Sequence, residues 1–133
     1  MKIKKIIAAG VAAAMATAAL AITVSAGSDN VGTCPVTYVS NISYGMAMST
    51  SGVSADPSKN TFSLSISSTF VYYNKDTKVT GSDKRHGSST GNSCNTSCSA
   101  PLNCQMVSVA SDHYFDINDD FGSFSSAASR SIT

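Results

Sequence analysis

Phe62, Leu64, Ile66, Phe70 and Tyr72 fall at even positions, with Ser63, Ser65, Ser67 and Thr69 between them. A spacing of two puts these sets on opposite faces of a β-strand, whereas the helical period of about 3.6 would not separate them. The same alternation runs through Val36, Tyr38, Ser40, Ile42, Tyr44, Met46 and Met48, as one long strand or two broken near Gly45. It returns in Val107, Val109, Ser111, His113, Phe115 and Ile117. Turn-forming residues separate these runs: residues 52–60 with Asp56-Pro57, then Asn74-Lys75-Asp76, Gly81-Ser82-Asp83 and Asn118-Asp119-Asp120. The pattern predicts an all-β domain, a small antiparallel β-sandwich or barrel of five to six strands. Residues 81–103 read as a polar loop, Asp83-Lys84-Arg85-His86 as an exposed hairpin tip, and residues 121–133 as a last edge strand. Phe62, Phe70, Phe115, Tyr38, Tyr44 and Tyr72 lie on the apolar alternations and are expected in the core.

The chain begins with a short basic stretch, Lys2, Lys4 and Lys5, followed by an Ala-rich apolar run over residues 6–24. Val24-Ser25-Ala26 then offers a small-x-small cleavage pattern. Residues 1–26 therefore read as a cleaved signal helix of bacterial character, residues 27–133 as a single Ser/Thr-rich domain, and the product as secreted. No stop-transfer cluster follows the run, so no stable membrane span is expected after cleavage.

Residues 27–133 hold 24 Ser and 10 Thr, while charged residues are 13% of the whole chain and Glu and Trp are absent. These hydroxyls are expected to form the wet outer faces of strands. Beyond the leader, 6 basic residues face 8 Asp, which argues against a nucleic-acid binder driven by phosphate contacts.

Cys34, Cys94, Cys98 and Cys104 are an even set in an exported chain, so two disulfides are expected to staple the fold, one tying Cys34 to the cysteine cluster. A zinc site joining the clustered cysteines to His86 or His113 is the weaker alternative, because the paired spacing of zinc modules is incomplete. Gly87-Ser88-Ser89-Thr90-Gly91 matches the nucleophile-elbow string centred on Ser89, yet no hydrophobic strand precedes it and no helix follows. Asp116, Asn118 and Asp120 resemble half a calcium loop, but Phe121 replaces the needed Gly and no Glu can close the site. No catalytic, cofactor or metal residues are assigned. Asn41-Ile42-Ser43 and Asn95-Thr96-Ser97 fit the glycosylation acceptor pattern, and Lys84-Arg85 is a dibasic step. Tyr73 and Tyr114 fall off the apolar faces and would suit a sugar- or peptide-stacking surface.

The expected function is a non-enzymatic, extracellular interaction domain for a protein or glycan surface. The alternative is a secreted bacteriocin-like antimicrobial protein, since the plan of leader plus short hydroxyl-rich β-domain resembles that of small exported bacteriocins. A small hydrolase using Ser89 or His113 ranks third.

Overall fold

Each alternating run becomes one strand or two, and segments without apolar alternation become strands as well. The computed structural model describes residues 22–132. Its nine strands are β1 (Ile22–Val24), β2 (Ala26–Val31), β3 (Cys34–Ile42), β4 (Met46–Val53), β5 (Phe62–Asn74), β6 (Thr80–Ser89), β7 (Ser93–Ser99), β8 (Cys104–Ile117) and β9 (Asp120–Arg130). They form two antiparallel sheets, ordered β1-β9-β8-β5-β6 and β2-β3-β4-β7, which pack as a sandwich. The expected leader lies mostly in residues 1–21, outside the described residues. Of its last five residues, Ile22–Val24 is β1, pairing with β9, and Ala26 opens β2.

Nine strands replace the five to six expected, because residues 22–31 supply β1 and β2 and residues 81–103 are not a loop. The segment supplies β6 and β7, joined by a turn over residues 90–92. The run Asp83-Lys84-Arg85-His86 is the middle of β6, an edge strand, where charge opposes pairing with another chain. Residues 121–130 belong to β9, which lies between β1 and β8 instead of at the sheet edge. The break near Gly45 is real: Ser43 donates its N–H to Met46 O at 2.8 Å, and the phase shifts there. Ala47, Ser49, Ser51 and Val53 therefore point inward, while Tyr44 and Met46, expected on the buried face, are exposed. At the β8–β9 connection, Asn118 and Asp119 both take positive φ (54° and 66°), the backbone of a two-residue hairpin turn matched to strand twist.

The core has two apolar clusters. One holds Val36, Tyr38, Leu64, Ile66, Phe115 and Phe124 among others; the second is built on Ala47, Phe70, Met106, Val109 and Ala128. Ser63 and Ser67 lie on the wet outer face as expected, but between the two clusters runs a chain of buried hydroxyls that the expectation of wet serine faces does not include. Thr96 bonds Ser68 (2.6 Å), Ser68 bonds Ser111 (2.7 Å), Ser111 bonds Ser49, and Ser49 bonds Ser40 (2.7 Å). Ser40 continues to Ser126 (2.7 Å), Ser126 to His113 Nε2 (2.6 Å), and His113 Nδ1 to Ser51 (2.7 Å). Four of these bonds cross between the sheets: Ser68–Thr96, Ser49–Ser111, Ser40–Ser126 and Ser51–His113. A hydroxyl both donates and accepts, so a continuous chain satisfies each buried group, and its directionality fixes how one sheet sits on the other.

The disulfide staple is not formed: all four cysteines are free and buried. Cys94 and Cys98 lie four residues apart on β7, about 13 Å along the strand, beyond the roughly 7 Å a disulfide can bridge. Cys34 is on β3, separated from β7 by β4, and two strand spacings are about 9.5 Å. Cys104 begins β8 at the end of the sandwich remote from Cys34. Cys34 therefore has no cysteine within reach, and its thiol packs in the core.

Candidate functional site

The outer face of the five-stranded sheet gathers the polar alternates of β5, β6, β8 and β9 into rows. Ladder register places Phe121, Asp116 and Ser63 side by side, then Ser123, Tyr114, Ser65 and Ser88, then Ser125, Asp112, Ser67 and His86. Successive rows are about 7 Å apart, so the face is a track of small hydrogen-bonding groups. Ser125 donates to Asp112 Oδ1 at 2.8 Å, and Ser67 Oγ lies 3.3 Å from His86 Nδ1.

Two depressions mark this track. One, of about 420 Å³, is framed by Tyr114 and Phe121, with Ser63, Ser65, Asp116 and Ser123 between and beside them. The other, of about 440 Å³, lies over Ser67, Asp112, Ser125, Thr69, Lys84 and His86. Phe121 is 79% exposed and Tyr114 42%. They occupy diagonal positions on neighbouring strands, a separation of roughly 7–8 Å that lets both rings line one cleft. Asp116 Oδ1 also accepts the Asp119 N–H at 3.1 Å, so the hairpin turn fixes the carboxylate beside the aromatic pair.

Tyr114 was legible in the sequence as an off-face aromatic; its partner was not Tyr73 but Phe121. Tyr73 shares the outer face, yet Tyr114 pairs with Ser65, eight residues away along β5, a distance of about 26 Å. Phe121 could have been found from its place directly after the acidic turn, since a two-residue hairpin sets it opposite Asp116. Asn41 and Asn95 are exposed on the other sheet.

The catalytic-looking strings disperse. Ser89 ends β6, and its Oγ accepts the Gly91 N–H at 3.0 Å within a strand–turn–strand connection, with no following helix. Gly87 belongs to the fold: a Cβ there would stand 2.6 Å from Asn95 O, where β6 meets β7. His113 is fully buried in the hydroxyl chain, and burial pushes its pKa down to about 4, with Asp112 acting weakly against the shift. It is neutral, donating through one ring nitrogen and accepting through the other. On the outer face Ser67 stands between Asp112 and His86, so that carboxylate is not positioned to orient the imidazole as a triad requires. Among the described residues, no three His, Cys, Asp or Glu side chains converge as metal ligands. Asn118, of the calcium-like string, instead accepts the Thr61 N–H at 2.8 Å and donates to Asn60 at 2.8 Å. Burial raises the pKa of the Cys94 and Cys98 thiols, which favours their protonated, unreactive form.

A second surface lies at one end of the sandwich. The turn at Tyr44, the β5–β6 connection and the β7–β8 connection are bonded together: Met106 N–H to Tyr44 O (2.9 Å), Ala100 N–H to Gly45 O (2.8 Å) and Lys75 N–H to Asn103 O (3.0 Å). Their apolar tips are open, with Leu102 88% and Val79 62% exposed. Lys75 Nζ bonds Tyr44 OH, and Lys75 and Arg130 lie 4.8 and 5.2 Å from the Tyr44 ring centre. Among the described residues, no helix is long and apolar enough to cross a membrane.

Comparison of the chain with protein-family models, with curated proteins and with solved structures finds no match.

Proposed function

We propose that the chain is an exported, non-enzymatic interaction domain that binds a glycan of a cell surface through the outer face of its five-stranded sheet. The cleft framed by Tyr114 and Phe121 carries this reading. Sugar rings present apolar C–H faces that stack on aromatic rings and hydroxyls that bond to carboxylates and serines, and the cleft offers both within one small volume. The hydroxyl track beyond it, through Ser65, Ser67, Asp112 and Ser125, extends the same chemistry along an oligosaccharide. The buried position of His113 and the order of groups around Ser67 favour binding over hydrolysis.

The test is retention of the purified protein on immobilised cell-envelope polysaccharides. Binding is expected, and Tyr114→Ala should weaken it by about 30-fold, the loss of one aromatic anchor worth roughly 2 kcal/mol. No retention on any envelope polysaccharide, or retention unchanged by Tyr114→Ala and Phe121→Ala together, overturns the reading. The second reading, a secreted antimicrobial protein, draws support from the cationic, apolar-tipped end of the sandwich; inhibition of related bacteria by the purified protein tests it, and growth unaffected at high dose refutes it.

A further inference from the structure

We propose that the end of the sandwich formed by Tyr44, Val79 and Leu102 docks on the surface of an anionic lipid bilayer. Two observations carry this, independently of the glycan face. First, Leu102, Val79 and Tyr44 are 88, 62 and 41% exposed on connections bonded to one another, and Met46, 45% exposed, opens β4 beside Tyr44, so they form one apolar tip. Large side chains held out of the core on several adjacent loops are unfavourable in water unless something covers them. Second, charge is divided along the long axis of the molecule. Lys75 and Lys78 are exposed at this end against Asp76, and among the described residues no ion pair engages the two lysines. The opposite end carries Asp29, Asp56, Asp116, Asp119 and Asp120 against Lys59. This polarity turns the apolar tip toward a negative surface and the acidic end away from it.

The sequence has no Trp, so the variant Leu102→Trp places one reporter at the tip and Pro57→Trp places one at the acidic end. Both are made in the exported, leader-cleaved protein and mixed with vesicles of phosphatidylglycerol and phosphatidylcholine in equal parts, or of phosphatidylcholine alone. The proposal expects a blue shift and quenching by brominated lipid for Leu102→Trp on the anionic vesicles, and neither effect for Pro57→Trp. Removing Lys75 and Lys78 by K75Q and K78Q should weaken binding about fivefold each. No shift at position 102 overturns the proposal. A shift indifferent to lipid charge and to the lysine variants also overturns it, because the cationic end would then play no part in docking.

A different observation carries a second inference, which rests on the export reading: signal cleavage falls after Ala21, not after Ala26. Ala19-Leu20-Ala21 is a small-x-small site as good as Val24-Ser25-Ala26. A cut after Ala26 would remove β1 and Ser25, whose Oγ donates to Ala127 O at 2.8 Å and accepts the Ala127 N–H at 2.5 Å. A cut after Ala21 keeps all nine strands. Mass spectrometry of the protein recovered outside producing cells should show Ile22 as its first residue. Gly27 or any other first residue on the exported protein overturns this site alone, whereas an uncut chain retained inside the cells refutes export itself.

Discussion

Acid should unfold this protein through His113, and the size of the effect follows from its burial. The imidazole has no exposed surface and is bonded at both nitrogens to hydroxyls, Ser51 and Ser126. Its pKa is about 4 in the fold against 6.5 for an ordinary histidine. Between those values the unfolded chain binds a proton that the folded protein refuses, so stability falls as pH falls through that window and is fully present above it. At about 1.4 kcal/mol per pH unit the total loss is on the order of 3 kcal/mol, with about 2 kcal/mol gone by roughly pH 5. Against the 5–15 kcal/mol typical of a whole domain, that is a large fraction. Urea melts across this range measure it, with His113→Gln as the control: the amide can still donate and accept but does not titrate. The variant should be weaker at neutral pH by roughly 1–3 kcal/mol and nearly flat between about pH 7 and 5. A wild-type stability that is flat over the window, or an equal slope in His113→Gln, refutes the reasoning.

The hydroxyl chain makes a second prediction: Ser111→Ala, which removes the partner of both Ser49 and Ser68, should destabilise by about 1–3 kcal/mol in denaturant melts, whereas Ser65→Ala on the outer face should stay within about 0.5 kcal/mol. Gly87→Ala should lower stability by about 1–3 kcal/mol, because its Cβ would stand 2.6 Å from the Asn95 carbonyl oxygen; an unchanged melt would refute the close approach of β6 and β7. The four thiols should be unreactive toward a thiol reagent until the protein unfolds, the intact mass should match the fully reduced chain, and a reductant should leave the melting temperature unchanged.

Period-two alternation made the strands β3, β5 and β8 legible, because a half-buried strand forces apolar residues onto one face. The same rows contained the hydroxyl chain: Ser40, Ser68, Ser111 and His113 sit at the inward positions among Val, Leu, Ile and Phe. What hid it is pairing. A lone inward serine looks like a defect, and only the facing sheet supplies Ser49, Ser126 and Thr96 as partners. Strands β6 and β7 were illegible for a related reason. Gly81, Gly87, Cys94 and Cys98 are poor hydrophobic markers, and it is the neighbouring β5 and β4 that hold these segments extended. The cysteines misled because their count matched a disulfide framework, whereas Cys94 and Cys98 stand too far apart on β7 to bridge, Cys34 and Cys104 lie on other strands, and all four are buried. Of the candidate site, Tyr114 was readable from its phase, while Phe121 required the two-residue turn that places it opposite Asp116.

The most direct test of the binding face is a map of backbone amide shifts as soluble envelope oligosaccharides are titrated into the protein. The account predicts perturbations grouped on Ser63, Ser65, Tyr114, Asp116, Phe121 and Ser123, the lining of one cleft. Perturbations confined to the four-stranded sheet, or none at saturating oligosaccharide, would contradict it.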